Sequence, residues 1–254
     1  MVGFIITLLS IIHCAHILYQ TEQIIYAYIP VIISIIALSL SHFTNPCEIN
    51  ILVTNAKNTP EQQLVLDKYT SKTKYGTMLK PAHGAFSSWS QRMILFYDHY
   101  CAWISNDVGL YNFRYFIQFT LWFGILCIEV VAIIATIMYD VYVNHSHVHT
   151  VFLHSNRYEY MISLFLYAML ANFTFTNGFL GFLSVKRGLT AVDIKKGLKR
   201  EDRMKGSYDN IFSKNMIYNL LPLKNNQSLY EYGDNKINLC VNYFIMKGIK
   251  FVYK

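Results

Sequence analysis

Residues 98–139 read DHYCAWISNDVGLYNFRYFIQFTLWFGILCIEVVAIIATIMY. Their opening sets a carboxylate (Asp98), an imidazole (His99) and a thiol (Cys101) within four positions, and their closing run, 115–139, holds neither Lys nor Arg. An apolar run of that length matches the roughly 20 residues a helix needs to cross about 30 Å of hydrocarbon. The stretch reads as a thiol site at the entrance of a membrane span.

Working outward, 1–19, 24–43, 115–139 and 161–185 all read as transmembrane helices, and none contains Lys or Arg. A helix buried in a soluble core usually keeps a charged face at helical period. Composition agrees, since 54% of the 254 residues are hydrophobic and only 15% charged, against roughly 25% charged in average soluble domains. The expected fold class is an all-α polytopic membrane protein of four transmembrane helices. Segment 44–114 forms a loop between helices 2 and 3, 140–160 a short loop between helices 3 and 4, and 186–254 a C-terminal segment.

The net charge of +7 is distributed unevenly: seven Lys or Arg lie in 44–114 and fourteen in 186–254, but one in 140–160 and none in 20–23. By the positive-inside rule the two basic segments and both termini face the cytosol, and the two short loops face the lumen. Charge that follows the membrane sides points to an anionic lipid surface and away from nucleic acid as a partner.

Cys14, Cys47, Cys101, Cys127 and Cys240 are widely spaced with no CxxC pair, which signals neither a disulfide framework nor a thiolate zinc site. Cys47, Cys101 and Cys240 fall in the segments read as cytosolic, where thiols stay reduced. A thiol attacks as its thiolate, and an ordinary cysteine is mostly protonated at neutral pH. His99 is near enough in sequence to act as general base for Cys101, and Asp98 to orient and charge-stabilise the imidazole.

Other features carry less chemistry. The first span starts without a basic n-region and ends without a small-residue cleavage site, so it reads as a retained helix. His13, Cys14 and His16 lie on it and read as residues buried against other helices rather than metal ligands, since no third ligand is near. Pro46 in Thr44-Asn45-Pro46-Cys47 stops the second span and leaves Cys47 beside the membrane, an S-acylation candidate that reads better as a free thiol. Residues 57–74 read as a loop or short helix. His145, His147 and His149 alternate, which on a strand would put them on one face for a metal, but a solvated lumenal loop is the plainer reading. Asn144-His145-Ser146 and Asn226-Gln227-Ser228 are glycosylation sequons, of which only the first is placed in the lumen. Glu129, the acid inside a span, is either functional or a buried structural group. Residues 237–254 read as an amphipathic element on the membrane surface.

The segment from Asp98 to Phe116 resembles the core of the DHHC protein S-acyltransferases, D-H-H-C-P-W-x-x-N-C-x-G-x-x-N-x-x-x-F, in a DHYC variant. Lys80-Pro81-Ala82-His83 resembles the family's K-P-x-R, Thr190-Ala191-Val192-Asp193 its T-T-x-E, and Tyr208-Asp209 with Asn215 its C-terminal Asn-containing motif. Thr44-Asn45-Pro46-Cys47 resembles its D-P-G turn, with Cys47 where the glycine stands. The resemblance implies a palmitoyltransferase: Cys101 takes an acyl group from palmitoyl-CoA as a thioester, with His99 as base and Asp98 orienting it, then passes it to a substrate cysteine. Trp103, Asn112, Thr190 and Asn215 are implied as supporting residues. The acyl chain is expected among the helices, where burial is worth roughly 0.8 kcal/mol per methylene.

The family's loop holds two structural zinc ions, and here the eight ligand positions carry Thr73, Gly76, Phe86, Ser87, Ser90, Met93, Tyr100 and Asp107, none of them Cys or His. A structural zinc needs four such ligands, so zinc is expected to be absent, with Phe86, Trp89, Met93 and Tyr100 packing in its place. The chain looks most like the small fungal members that acylate SNAREs, which implies the endoplasmic reticulum or another endomembrane and substrates with cysteines beside a membrane span. Two alternatives stand: a catalytically inactive relative serving as membrane scaffold or chaperone, and a small channel or transporter, for which no inverted repeat speaks.

Overall fold

The computed structural model describes residues 1–21, 24–48, 51–53, 70–73, 76–79, 84–143, 147–187, 189–195, 197 and 251–253. Asn215, Tyr208-Asp209, both sequon asparagines, Lys80–His83, Cys240 and most of 57–74 lie outside the described residues. Four long helices carry the fold: α1 (Val2–Gln20), α2 (Ile24–Phe43), α3 (Phe113–Tyr142) and α4 (His147–Arg187), followed by the single turn α5 (Ala191–Lys195). Val2–Gln20, Phe113–Tyr142 and the Tyr158–Ser184 part of α4 are long and apolar enough to cross a membrane, and Tyr28–Phe43 is a shorter apolar helix. Their outer faces are apolar too, with Ile5, Leu9, Ile12, Phe165 and Met169 exposed, as expected where the solvent is lipid.

Helix α3 packs against α1, α2 and α4, burying Phe119, Phe123, Leu126, Cys127, Val130 and Ile134. Its seam with α4 is close because small residues interlock. A Cβ at Gly124 would come within 2.9 Å of Thr174 Oγ1, and one at Gly178 within 3.0 Å of Thr120 Oγ1. Small residues at such seams let backbones approach when no hydrophobic drive separates helix from lipid.

Helices α3 and α4 overrun the expected spans, so that most of 140–160 is helical rather than loop. The stretch contains no Pro or Gly to break it. The all-helical expectation is corrected further by eight short strands: β1 (Ile51–Val53), β2 (Thr70–Thr73), β3 (Gly76–Leu79), β4 (Gly84–Ser87), β5 (Arg92–Leu95), β6 (His99–Cys101), β7 (Asn106–Val108) and β8 (Phe251–Tyr253). One sheet has the order β2-β3-β1-β8, and β4–β5 and β6–β7 are separate antiparallel hairpins. The described part of the expected C-terminal amphipathic element is thus a strand, paired with β1.

The two hairpins are pinned to the end of α2. Asn106 Nδ2 donates to the carbonyls of His42 at 2.9 Å and Thr44 at 3.1 Å, and Asn112 Nδ2 to that of Ser41 at 3.1 Å. These are carbonyls that a helix C-terminus leaves without intrahelical partners. Asn45 Oδ1 accepts from the N–H groups of Cys47 and Glu48, both at 2.9 Å, making the turn that ends the helix. Cys47 has φ 76, a left-handed conformation that favours glycine, and its buried thiol faces the core instead of the membrane surface.

Candidate active site

Strand β6 carries His99 and Cys101, and Asp98 stands one residue before it, its N–H bonded to the Val108 carbonyl at 2.9 Å. Register pairs His99 with Val108, Tyr100 with Asp107 and Cys101 with Asn106. The short loop joining β6 to β7 returns through Ser105 at φ 51. It is held to the start of α1, because Phe4 N–H donates to Ser105 Oγ at 3.1 Å and Thr7 Oγ1 to the Trp103 carbonyl at 3.1 Å. Residues 101 and 96 positions apart in the sequence thereby share one wall.

Asp98 and His99 are in direct contact. His99 Nδ1–H donates to Asp98 Oδ2 at 2.9 Å, and the ring packs edge-on against Phe116 at 5.2 Å between centroids. Burial works against charging His99, but it is outweighed by the hydrogen bonds to Asp98 and Cys101, and the imidazole is pushed up to about 9. With Nδ1 committed to Asp98, the remaining nitrogen is the one free to exchange a proton with the thiol.

Asp98 is held from its other side as well. Ala191 N–H, the first of α5, donates to Asp98 Oδ1 at 3.3 Å. Thr190 caps that helix: Asp193 N–H donates to Thr190 Oγ1 and Thr190 N–H to Asp193 Oδ2, both at 3.1 Å, a reciprocal capping arrangement. Thr190 Oγ1 also donates to the Tyr97 carbonyl at 3.0 Å. Thr190 thus lies beside Asp98 through the α5 turn, and the sequence reading missed that Ala191 supplies the contact to its carboxylate.

Cys101 is 6% exposed and lines a cavity of about 220 Å³ with His99, Trp103, Phe119, Phe123, Phe173 and Thr174. The cavity lies between α1, α3 and α4, and Trp103 leans on Phe173 at 5.8 Å. A second cavity of about 200 Å³ lies on the far side of His99, against Asp98, Leu180, Ser184 and Ile194. Asn112 is fully buried; its Oδ1 accepts from Gly109 N–H at 2.9 Å and its Nδ2 donates to the Asp107 carbonyl at 2.7 Å. Gly109 allows the tight turn before α3, because a Cβ there would stand 2.3 Å from the Pro46 carbonyl oxygen.

Residues 67–196 match the family described as DHHC palmitoyltransferase, just over half of the chain. The chain belongs to that family. Among similar proteins, the DHHC chain is 33% identical over 103 residues to palmitoyltransferase SWF1 of Yarrowia lipolytica, a match covering 38% of this chain and 26% of that protein. It is 38% identical over 61 residues to palmitoyltransferase PFA3 of Candida albicans (24% and 16%), and 42% identical over 50 residues to palmitoyltransferase AKR1 of Lachancea kluyveri (20% and 6%). The matches span about a quarter or less of these relatives' length.

The positions that would hold zinc in a DHHC protein do not fit a metal here. Phe86 and Met93 face each other across β4–β5, and Thr73 and Gly76 pair across β2–β3. At the second set, Ser87 Oγ donates to Asp107 Oδ1 at 2.6 Å, Ser90 Oγ donates to Oδ2, and Arg92 Nη2 donates to Oδ2 at 3.0 Å. The carboxylate that would serve a cation already has one in Arg92. Among the described residues no group of three or more His, Cys, Asp or Glu is placed to hold a metal ion. The packing expected of these side chains is partial: Met93 is fully buried, but Trp89 is 77% exposed and stacks on Tyr100 at 5.8 Å.

Elsewhere, His13 Nδ1 lies 2.6 Å from Tyr167 Oη and its Nε2 3.4 Å from Glu159, and Cys14 is fully buried, as expected for residues facing other helices. His16 departs from that expectation: it is exposed and bonds Gln20, one turn on, at 2.9 Å.

Proposed function

We propose that this chain is a protein S-acyltransferase that moves a palmitoyl group from palmitoyl-CoA, through a thioester on Cys101, to cysteines of membrane proteins. The observation that carries the reading is the position of Cys101, between an imidazole fixed by Asp98 and an apolar cavity among the helices. In the first step His99 takes the Cys101 proton, the thiolate attacks the acyl carbonyl carbon, the bond to the CoA sulfur breaks, and His99 returns the proton to that sulfur. In the second step the substrate thiol gives its proton to His99 and attacks the Cys101 thioester, and Cys101 leaves and recovers a proton. One thioester replaces another, so neither step draws on energy beyond that of the acyl-CoA.

Asp98 orients His99, Thr190 secures the α5 turn against Asp98, Asn112 fixes the β7–α3 corner and Trp103 walls the cavity. Asn215 completes the set by its resemblance alone. The loop is zinc-free in this reading, held by side-chain hydrogen bonds and by packing. The chain crosses the membrane four times, α2 included, with both termini in the cytosol; the bonds from Phe4 and Thr7 to the Cys101 loop support an N-terminus on the catalytic side. Membrane-protein substrates with cysteines beside a span, SNAREs among them, and residence in the endoplasmic reticulum or another endomembrane follow from the similarity to small fungal members.

The test is labelling of purified protein with a fatty acyl-CoA analogue, followed by hydroxylamine. Wild type is expected to take a hydroxylamine-sensitive label that Cys101→Ser lacks. An unlabelled but folded wild type, as an inactive scaffold would give, or equal label on Cys101→Ser, refutes the reading.

A further inference from the structure

Asp107 is 0% exposed, yet its carboxylate lies 3.0 Å from the Arg92 guanidinium. Its two carboxylate oxygens receive Ser87, Ser90 and Arg92. Its backbone is fixed too, the N–H donating to Asn106 Oδ1 at 2.9 Å and the carbonyl accepting from Asn112 at 2.7 Å. Ser87 and Arg92 are partners across β4–β5, while Asp107 pairs with Tyr100, the residue between base and nucleophile. One carboxylate therefore joins two hairpins at the rung flanked by His99 and Cys101. Arg92 is itself shared with Glu48 at 3.3 Å and Asn106 at 3.2 Å, which ties the rung to the end of α2.

Stability alone does not account for this arrangement. Burying an ion pair carries a desolvation penalty that often matches or exceeds the attraction, and apolar residues of similar size commonly hold such a site as well or better. What hydrogen bonds from three donors do provide is direction, which apolar contacts lack.

We infer that Asp107, clamped by Ser87, Ser90 and Arg92, is a positioning residue that sets the alignment of His99 with Cys101. It fixes by hydrogen bonds the same rung that coordination would otherwise fix. The inference rests on the acyltransferase reading and deepens it.

The experiment is rapid mixing of the full-length protein with palmitoyl-CoA, reading the amplitude and the rate constant of the acyl-enzyme burst separately. Amplitude counts competent molecules, and the rate constant reports alignment. Asp107→Asn is expected to keep the amplitude and to slow the burst on the order of 10-fold to 100-fold, the scale set by misplacing a reacting group by about an ångström. Arg92→Gln removes one of the three donors and slows the burst by about 3-fold, again at full amplitude; it serves where Asp107→Asn does not accumulate. Alkylation of Cys101 by iodoacetamide, without any acyl donor, should slow in the same order. Loss of amplitude at an unchanged rate constant would mean that the cluster merely holds the loop together, and would overturn the inference. A wild type with no burst refutes the acyltransferase reading instead, and equal alkylation of wild type and Asp107→Asn then overturns the positioning role independently.

Discussion

Replacing Asp98 by asparagine changes almost no volume and reverses one hydrogen bond. In the wild type, Nδ1–H of His99 donates to Asp98 Oδ2 at 2.9 Å, and Asp98 Oδ1 accepts from Ala191 N–H at 3.3 Å. An amide can keep its oxygen toward Ala191 only by turning its NH2 group toward His99. Nδ1 must then accept, the proton of the neutral ring moves to the nitrogen that served Cys101, and the imidazole can no longer take the thiol proton. The charge effect acts in the same direction. His99, pushed up to about 9 by Asp98 and Cys101 against its burial, falls back toward the ordinary value near 6.5. The ring then holds less firmly the proton it takes from the thiol. Lost general base catalysis is worth about 100-fold or more, so the burst rate constant for Asp98→Asn should fall at least that far. The pH profile discriminates further. The protonated ring returns the proton to the leaving CoA sulfur, so activity depending on it holds below about 9 and declines as pH rises through that value; in Asp98→Asn the decline moves to lower pH. A variant within 3-fold of wild type, with its decline still near 9, would refute the tautomer argument, because general base effects are about 100-fold or larger.

Three further outcomes follow from geometry already described. Asn112→Ala removes the side-chain partner of the buried Gly109 N–H and Asp107 carbonyl, and one of two donors to the Ser41 carbonyl; at about 1–3 kcal/mol for each unsatisfied group, it should destabilise the protein by several kcal/mol in a thermal unfolding assay in detergent. Gly109→Ala pushes a methyl to 2.3 Å from the Pro46 carbonyl and 2.5 Å from Ile94, and the forced backbone shift should cost about 1–3 kcal/mol and shrink the burst amplitude. Thr190→Val keeps the shape but removes the bonds to Tyr97 and Asp193; a loss of about 1 kcal/mol of cap energy should loosen α5 and slow acylation several-fold, with the affinity for acyl-CoA unchanged in titration.

The helices were legible because lipid imposes a plain requirement: long apolar runs without Lys or Arg. Their ends were not, since nothing in 140–160 breaks a helix and the lumenal loop was read from polarity alone. The proximity of Asp98, His99 and Cys101 was legible from their places in the sequence, and the proposed roles rest on residue type. The hairpin that presents them was not, because its return residue Ser105 and the corresponding Gln91 take left-handed φ values of 51 and 59 without the Gly or Asn that normally announces such turns. The eight positions without Cys or His were visible as a loss, but what replaces them was only half seen. Met93 packs as expected, whereas the bonds converging on Asp107 depend on Ser87, Ser90 and Arg92 arriving from another hairpin, which no local pattern encodes.

The turn α5 has a consequence in time. Asp98 precedes α3 and α4 in the chain and Ala191 follows them, yet the two are joined by a hydrogen bond, and Tyr97 is likewise joined to Thr190. During synthesis the thiol and its base emerge well before the residues that steady the carboxylate. A ribosome-bound chain halted ahead of Thr190 carries Cys101 without that clamp, so completion of the Asp98 setting waits until α4 has been made and packed.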